Sequence, residues 1–235
     1  MPIHVVEQDR FASTTVAQME PGAMIELPDG RKFRYARVGA VALVAGHMTQ
    51  GPAIIANHQN IAASAASAIG STSVSATLGA TAATVGQYSG GYLVANDATG
   101  EGHYYRISTN TAASSSGVIT VTLSDPIKIA LVLTTSQVSL IPNPWNGVID
   151  YPTTTTLNPT GVAPFAVAAS QYCWLQTGGV TNVLIDGTVG VGTGVAVPGG
   201  VAGGVKVMAS TLAQVGYALQ AGVDTEYNTV FLTID

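Results

Sequence analysis

The sequence predicts a mainly β fold with two small sandwich- or barrel-like domains, an extended N-terminal arm and little helix. Short runs rich in Val, Ile, Thr and Tyr recur along the chain, and these residue types favour pleated strands. Turn formers separate the runs, and the 235 residues include 27 Gly and 11 Pro. Apolar residues show no helical periodicity over a useful length. We therefore expect many short strands joined by tight turns.

The distribution of polar, Pro and Gly residues predicts four segments. The first is polar and lacks any periodicity, so we interpret it as an extended arm that could reach about 70 Å at roughly 3.3 Å per residue; the alternative is a disordered terminus. Prolines and four successive threonines mark a linker, because Pro cannot donate to a sheet ladder. The expected segments are an arm (1–23), a β-domain (24–141), a Pro- and Thr-rich linker (142–164) and a C-terminal Gly-rich β-domain (165–235).

A β-hairpin is expected directly after the arm. Met24–Leu27 and Arg31–Val38 flank the sequence Pro28-Asp29-Gly30, in which the Asp-Gly pair suits the positive φ of a tight turn. Alternation places Phe33 and Tyr35 on one face of the second strand and Lys32 and Arg34 on the other.

Further strands follow from the same criteria. We interpret Ala53–Ile69 as irregular or strand-like, with one helical turn. Residues 73–84 (SVSATLGATAAT) resemble residues 118–130 (VITVTLSDPIKIA), as two related strands paired in one sheet would. The remaining expected strands are Gly39–Met48, Ser73–Leu78, Tyr88–Asn96, His103–Ser108, Gly117–Leu123, Ser136–Leu140, Gln171–Gln176, Val180–Asp186, Gly194–Val197, Val205–Met208, Val215–Gln220 and Thr229–Ile234.

The chain is unusually poor in charge. It carries 8 basic and 13 acidic residues, about 9% of its length, where globular chains carry roughly 25%. None lies between Val38 and Asn96, a stretch of mainly Ala, Gly, Ser, Thr and Val. Such a surface is weakly hydrated, which suits a protein packed in a symmetric assembly better than a free enzyme.

Charge and hydropathy also bear on partners and location. The net charge of −5 lacks the broad positive footprint of a nucleic-acid binder. The most apolar runs, Val38–Ala45 and Ile127–Leu133, are shorter than the roughly 20 residues of a membrane span. The first residues, MPIHVVEQDR, lack the basic start and apolar region of a signal peptide. We expect a protein made in the cytoplasm that binds neither nucleic acid nor membrane.

Residues with catalytic or metal-binding chemistry are few. The four histidines, at 4, 47, 58 and 103, have no second ligand at metal-site spacing. The nearest candidate, Glu101-Gly102-His103, is better explained as a solvated turn. The single cysteine, Cys173, is expected in the core. The serine-hydrolase elbow and both common phosphate-loop patterns are missing. We expect no enzymatic activity, cofactor or metal.

One charged cluster does suggest a binding role. Half of the basic residues, Arg31, Lys32, Arg34 and Arg37, lie within seven positions of the expected hairpin. They form either a solvated face or a docking patch for an acidic protein surface, where charge would steer association.

Two segments resemble virion proteins of tailed bacteriophages. The run DGRKFRYARVGAVALVAGHMTQGPA at 29–53, continued by GGYLVANDATGEGHYYRISTNTAASSSGVITVTLSDPIKIAL at 90–131, looks like small capsid-associated proteins. NVLIDGTVGVGTGVAVPGGVAGGVKVM and QVGYALQAGVDTEYNTVFLTID are similar to β-domains of capsid decoration, or cement, proteins. The resemblance covers about half the chain. It implies no catalysis and no cofactor, and homotrimers on the outer capsid surface that bind the major capsid protein.

Two functional hypotheses follow from composition and resemblance. The first is a structural virion protein that binds the outer surface of a phage capsid and stabilises the shell through its arm and basic hairpin. The alternative is a host- or glycan-binding module of a phage tail or fibre. A tailspike-type hydrolase is a third, weaker hypothesis, because the chain lacks a long solenoid.

Overall fold

A computed structural model describes residues 10–235. Strands account for 43% of the chain and helix for 2%, which confirms the predicted mainly β fold. The described residues form two compact units. An inserted unit comprises Ile54–Asn143, and a discontinuous unit combines the chain up to Ala53 with Pro144–Asp235.

The inserted unit is a closed ring of six short strands. Its sheet has the order β4-β9-β6-β7-β8-β5, and a bridge between Ala63 and Ala76 joins the two ends of that order. Alternating apolar side chains such as Leu93, Ile107 and Val121 pack together in its core. The strands are β4 (Ile61–Ala62), β5 (Ser73–Thr77), β6 (Tyr92–Asp97), β7 (Tyr104–Asn110), β8 (Val118–Leu123) and β9 (Gln137–Ile141).

Two expectations for this region are confirmed. β5 pairs antiparallel with β8, so the two segments that resemble each other are neighbours in one sheet. Before β4, the stretch expected to be irregular holds a single 3-10 turn, Ala56–His58.

The discontinuous unit contains ten strands in one sheet, and this sheet forms two closed rings. Two of these strands end within 20 residues before the inserted unit, and two begin within 20 residues after it. The insertion therefore interrupts a single sheet. The strands are β1 (Met24–Glu26), β2 (Lys32–Val38), β3 (Met48–Gln50), β10 (Asn146–Asp150), β11 (Pro159–Val162), β12 (Tyr172–Leu184), β13 (Gly194–Val197), β14 (Lys206–Val207), β15 (Ala213–Ala218) and β16 (Tyr227–Thr233).

The long strand β12 belongs to both closed rings. In the first ring the order is β2-β10-β3-β11-β12, and β12 pairs back onto β2. In the second, β12-β16-β15-β13-β14 closes through a parallel bridge between Ile185 and Val205. Cys173 and Leu175 fill the core of the first ring with Val148. The second ring has a Val-rich core.

The structure divides the chain differently from the expected domains. The segment expected as a linker (142–164) contributes β10 and β11 to the first ring, and the expected boundary at 141 instead lies near the end of the inserted unit. Pro159 is tolerated because it lies at the first position of β11. The expected N-terminal β-domain (24–141) therefore splits: β2 and β3 pair with strands that follow the inserted unit, and β1 pairs with β2.

Two strand predictions also need correction. The two strands expected on either side of Thr177-Gly178-Gly179 are one continuous strand, β12. Two features favour glycine at position 179: its φ is left-handed at +80°, and a Cβ there would lie 3.0 Å from the Arg31 Cα. The expected strand Gly39–Met48 is a bend and a turn, with a single bridge from Leu43 to Val167.

The described part of the expected arm packs on its own unit, whereas residues 1–9 lie outside the described residues. Thr14 bridges to Tyr172 through two backbone hydrogen bonds of 3.0 and 2.8 Å. The buried Arg10 places its guanidinium 5.4 Å from the ring centre of Phe33. Met19 packs against the same aromatic cluster. Residues 10–23 thus cover the outer face of β2 and β12.

Candidate docking surface

The predicted hairpin is present, and its faces are as expected. β1 and β2 pair antiparallel, and Gly30 has the left-handed φ of +82° that the turn requires. Phe33 and Tyr35 are buried on one face. Lys32 and Arg34 lie on the other and are half-buried.

The four basic residues do not form one patch. Because side chains alternate along β2, Arg37 lies on the face opposite Lys32 and Arg34. Neither Lys32 nor Arg37 forms an ion pair within residues 10–235. The predicted docking residues therefore divide between two surfaces.

Arg34 is held by its own unit. Its Nε and Nη2 donate to the two carboxylate oxygens of Asp235 at 2.8 and 2.9 Å, and Nη1 donates to the Gly22 carbonyl at 2.9 Å. The guanidinium lies 4.8 Å from the ring centre of Trp145. The hydrogen bonds from Arg34 lower the pKa of Asp235. Arg34 thus connects β2 with three separate parts of the chain.

Arg31 is arranged by the hairpin turn. Its backbone N–H donates to Asp29 Oδ1 at 3.1 Å and its Nε to Asp29 Oδ2 at 2.7 Å. The backbone hydrogen bond is the main reason that the pKa of Asp29 is lowered. This pair fixes the guanidinium at the exposed end of the hairpin.

An apolar stripe of Val180, Phe231 and Tyr217 crosses three strands beside this turn. The register places Val180 of β12 opposite Phe231 of β16, and Phe231 opposite Tyr217 of β15. Their exposed fractions are 49%, 43% and 47%, although all three are large apolar or aromatic residues. The stripe points outward because Val230 and Leu232, on either side of Phe231, fill the core of the second ring.

The turn and the stripe border one hollow of about 360 Å³. It is lined by Asp29, Gly30 and Arg31 from the hairpin and by Gly179, Val180 and Phe231 from the stripe side. Aromatic side chains beside an arginine are the composition enriched in protein–protein interfaces. This surface can bind an apolar protein segment with an acidic group at its margin.

The stripe was not predicted from the sequence, although a signal was present. Val230-Phe231-Leu232 is an unbroken apolar run within a strand, so at least one of its side chains must face outward. The partner positions Val180 and Tyr217 depend on register, which sequence spacing does not reveal.

The three histidines within residues 10–235 make structural contacts, and His4 lies outside the described residues. His47 Nδ1 lies 2.9 Å from Asp150 Oδ2, and burial raises the pKa of that carboxyl group. His58 is buried and hydrogen-bonded to Tyr88, and His103 Nδ1 lies 3.2 Å from the Gly100 carbonyl. Among residues 10–235, no group of three or more His, Cys, Asp or Glu side chains could hold a metal ion.

The predicted core position of Cys173 is confirmed. It is buried in the first ring, and burial raises the pKa of its thiol to about 12. Within the described chain, no helix is both long and apolar enough to cross a membrane.

Comparisons of this chain with family models, with curated proteins and with solved structures gave no match.

Proposed function

We propose that this chain is a structural virion protein that binds the outer surface of a bacteriophage capsid and stabilises the shell, as decoration or cement proteins do. The observation that carries the proposal is the balance of its surface. Among residues 10–235, 24 large apolar side chains are exposed, whereas the whole chain has 21 charged residues. Where such side chains adjoin one another, as Val180, Phe231 and Tyr217 do across three strands, they mark an interaction site. It is covered when copies pack on a shell and on one another.

The docking surface in this proposal joins the apolar stripe and the basic hairpin. The stripe supplies the apolar area that becomes buried on binding, and Arg31, which lines the adjoining hollow, supplies charge at its margin. Arg34 contributes indirectly by fixing β2, and Arg37 faces another surface. The partner is the major capsid protein, and the chain itself assembles as a homotrimer, which light scattering of the free protein at micromolar concentration would test.

Co-sedimentation with expanded shells tests the proposed docking. We expect Tyr217→Ser combined with Phe231→Ser to weaken shell binding at least tenfold, with little change in stability because both side chains are exposed. Binding should also weaken as salt rises, since exposed charges are screened over about 10 Å at 0.1 M. The matched control is Tyr104→Ser, which removes an aromatic side chain that is 69% exposed on the inserted unit. Full shell occupancy by the double variant would contradict the proposal.

A second candidate function is glycan binding at a phage tail or fibre. Tyr92 and Tyr104 form an exposed edge-to-face pair on the inserted unit, with ring centres 6.0 Å apart. Exposed tyrosines beside one another suit stacking against a sugar ring. In this case Tyr104→Ser abolishes binding on a glycan array, while the Tyr217/Phe231 variant binds as the wild type does.

A further inference from the structure

The inserted unit, which does not carry the docking surface, has an apolar surface of its own. It consists of residues 65–69 and 129–133, and we call it the insertion patch. An antiparallel bridge between Ser67 and Leu131, with two backbone hydrogen bonds of 2.9 Å, holds the two segments side by side. Both bridge residues are buried, so the residues around them form the surface.

Two isoleucines of the insertion patch are exposed and close together. Ile69 and Ile129 lie between the bridge and a hydrogen bond of 3.0 Å from the Gly70 N–H to the Ile127 carbonyl. Ile69 is 66% exposed and Ile129 is 37% exposed, whereas Ile127 fills the core of the unit. The core is thus complete without the two exposed isoleucines. A partner that covered them would remove apolar surface from water, which is favourable.

The rest of the insertion patch is apolar as well. Val132 and Leu133 directly follow the bridge on the second segment, and both are exposed. The first segment contributes small side chains, which allow close approach of a second surface. These are the exposed alanines Ala65, Ala66 and Ala68. Neither segment contains a charged residue, so large and small apolar side chains form one continuous surface of the kind that marks an interaction site.

Charges of both signs adjoin the insertion patch. Lys128 immediately precedes its second segment and is exposed. Glu101, also exposed, follows Gly100 in a turn that packs against the same segment, since a Cβ on Gly100 would lie 2.7 Å from Leu131 Cδ2. Neither Lys128 nor Glu101 forms an ion pair within the part of the chain that the structure describes. The margin of the patch is therefore complementary to the same margin of an identical copy.

A second copy of this chain suits that margin better than a partner surface of one charge. A surface of a single sign would attract one of the two residues and repel the other. When identical patches meet around a symmetry axis, Lys128 of one copy lies beside Glu101 of the next. We propose that copies of this chain assemble through the insertion patch, which surrounds the three-fold axis of the homotrimer. This inference rests on the proposed self-assembly and not on binding to a shell.

Sedimentation velocity of the full-length chain at micromolar concentration, without shells, tests the proposal. We expect Ile69→Ser combined with Leu133→Ser to lower the mass from three chains to one, with the fold checked by circular dichroism. The matched control is Val85→Ser combined with Val118→Ser, which removes two exposed apolar side chains elsewhere on the same unit and should leave the trimer intact. Trimers of both double variants, or loss of the trimer in both, would overturn the proposal. A monomeric wild type would overturn it together with the homotrimer.

Charge reversal tests the same contact with the apolar residues in place. Lys128→Glu should weaken association at least tenfold, because like charges then meet between copies. Adding Glu101→Lys should restore the trimer at the same concentration, and failure to restore it would overturn the proposal. Tyr217→Ser combined with Phe231→Ser, on the docking surface, should remain trimeric. Loss of shell binding is thereby distinguished from loss of the contact between copies.

Discussion

Arg34 binds three separate parts of the discontinuous unit at once. It pairs with Asp235, which is 201 positions away in sequence, donates to the Gly22 carbonyl and stacks on Trp145. Its side chain is 24% exposed and that of Asp235 is 21% exposed, so solvent screens the pair only in part. An arginine in such a bidentate pair is more than a solvated charge.

We expect Arg34→Ala to lower the free energy of unfolding by about 2 kcal/mol, because a charge-assisted hydrogen bond contributes roughly 1.5–3 kcal/mol. Chemical denaturation of the single and double variants with Asp235→Ala gives the coupling between the two residues. The control is Lys128→Ala, an exposed position expected to change stability by less than about 0.5 kcal/mol. Additive effects of the two single variants would show that the pair contributes nothing.

The pair of Arg34 and Asp235 should also make the free energy of unfolding depend on pH in the acidic range. Since the folded-state pKa of Asp235 is lowered from its ordinary 3.8, its stabilisation is fully present above that value. It is lost as pH falls through the lowered folded-state pKa. We therefore expect wild type to exceed Asp235→Asn in stability at pH 6, and the difference to shrink below about pH 4. A difference that stays constant down to pH 2 would contradict this assignment.

Among the secondary-structure elements, those that depend on residues close in sequence were predicted correctly. The hairpin of β1 and β2 follows from its Asp-Gly turn and alternation, and the pairing of β5 with β8 follows from their similar sequences. What sequence alone missed depends on distant partners. β10 pairs with β2, more than 100 positions earlier, so a Pro-rich stretch that looks like a linker becomes part of a ring.

The predicted docking residues show the same limit. Sequence correctly placed Lys32 and Arg34 opposite Phe33, because that depends only on alternation. It could not reveal that Asp235 engages Arg34, or that Val180, Phe231 and Tyr217 meet across three strands.

The arm, which the sequence predicted only as an extended or disordered segment, packs on its own unit in its described part. Arg10 lies over the Phe33 ring, the Gln18 N–H donates to the Tyr35 hydroxyl at 3.1 Å, and Thr14 bridges to Tyr172. Deleting residues 1–18 should therefore lower the melting temperature measurably, by about 2–4 °C for a loss of about 1 kcal/mol in a unit of about 150 residues. Calorimetry of this variant, compared with one that lacks only residues 1–9, makes the measurement. Identical melting temperatures for the two would contradict the packing of residues 10–18.

At the scale of the whole molecule, the two units close their sheets separately. Every strand of the double ring lies outside Ile54–Asn143. The ends of the insertion are also near each other, since a Cβ on Gly51 would lie 2.6 Å from the Pro144 carbonyl oxygen. We expect a variant in which Gly-Gly joins Ala53 to Pro144 to fold, with a cooperative thermal transition by circular dichroism. An unfolded product would show that the discontinuous unit requires the insertion.

A cryo-EM reconstruction of the virion that carries this chain tests the proposal that the chain binds the outside of a phage shell. We expect density for both units on the outer shell surface. In that density, the stripe of Val180, Phe231 and Tyr217 and the hairpin turn at Arg31 face the major capsid protein. Density for the chain on the tail or a fibre, or a shell surface without it, would show that the proposed function is wrong.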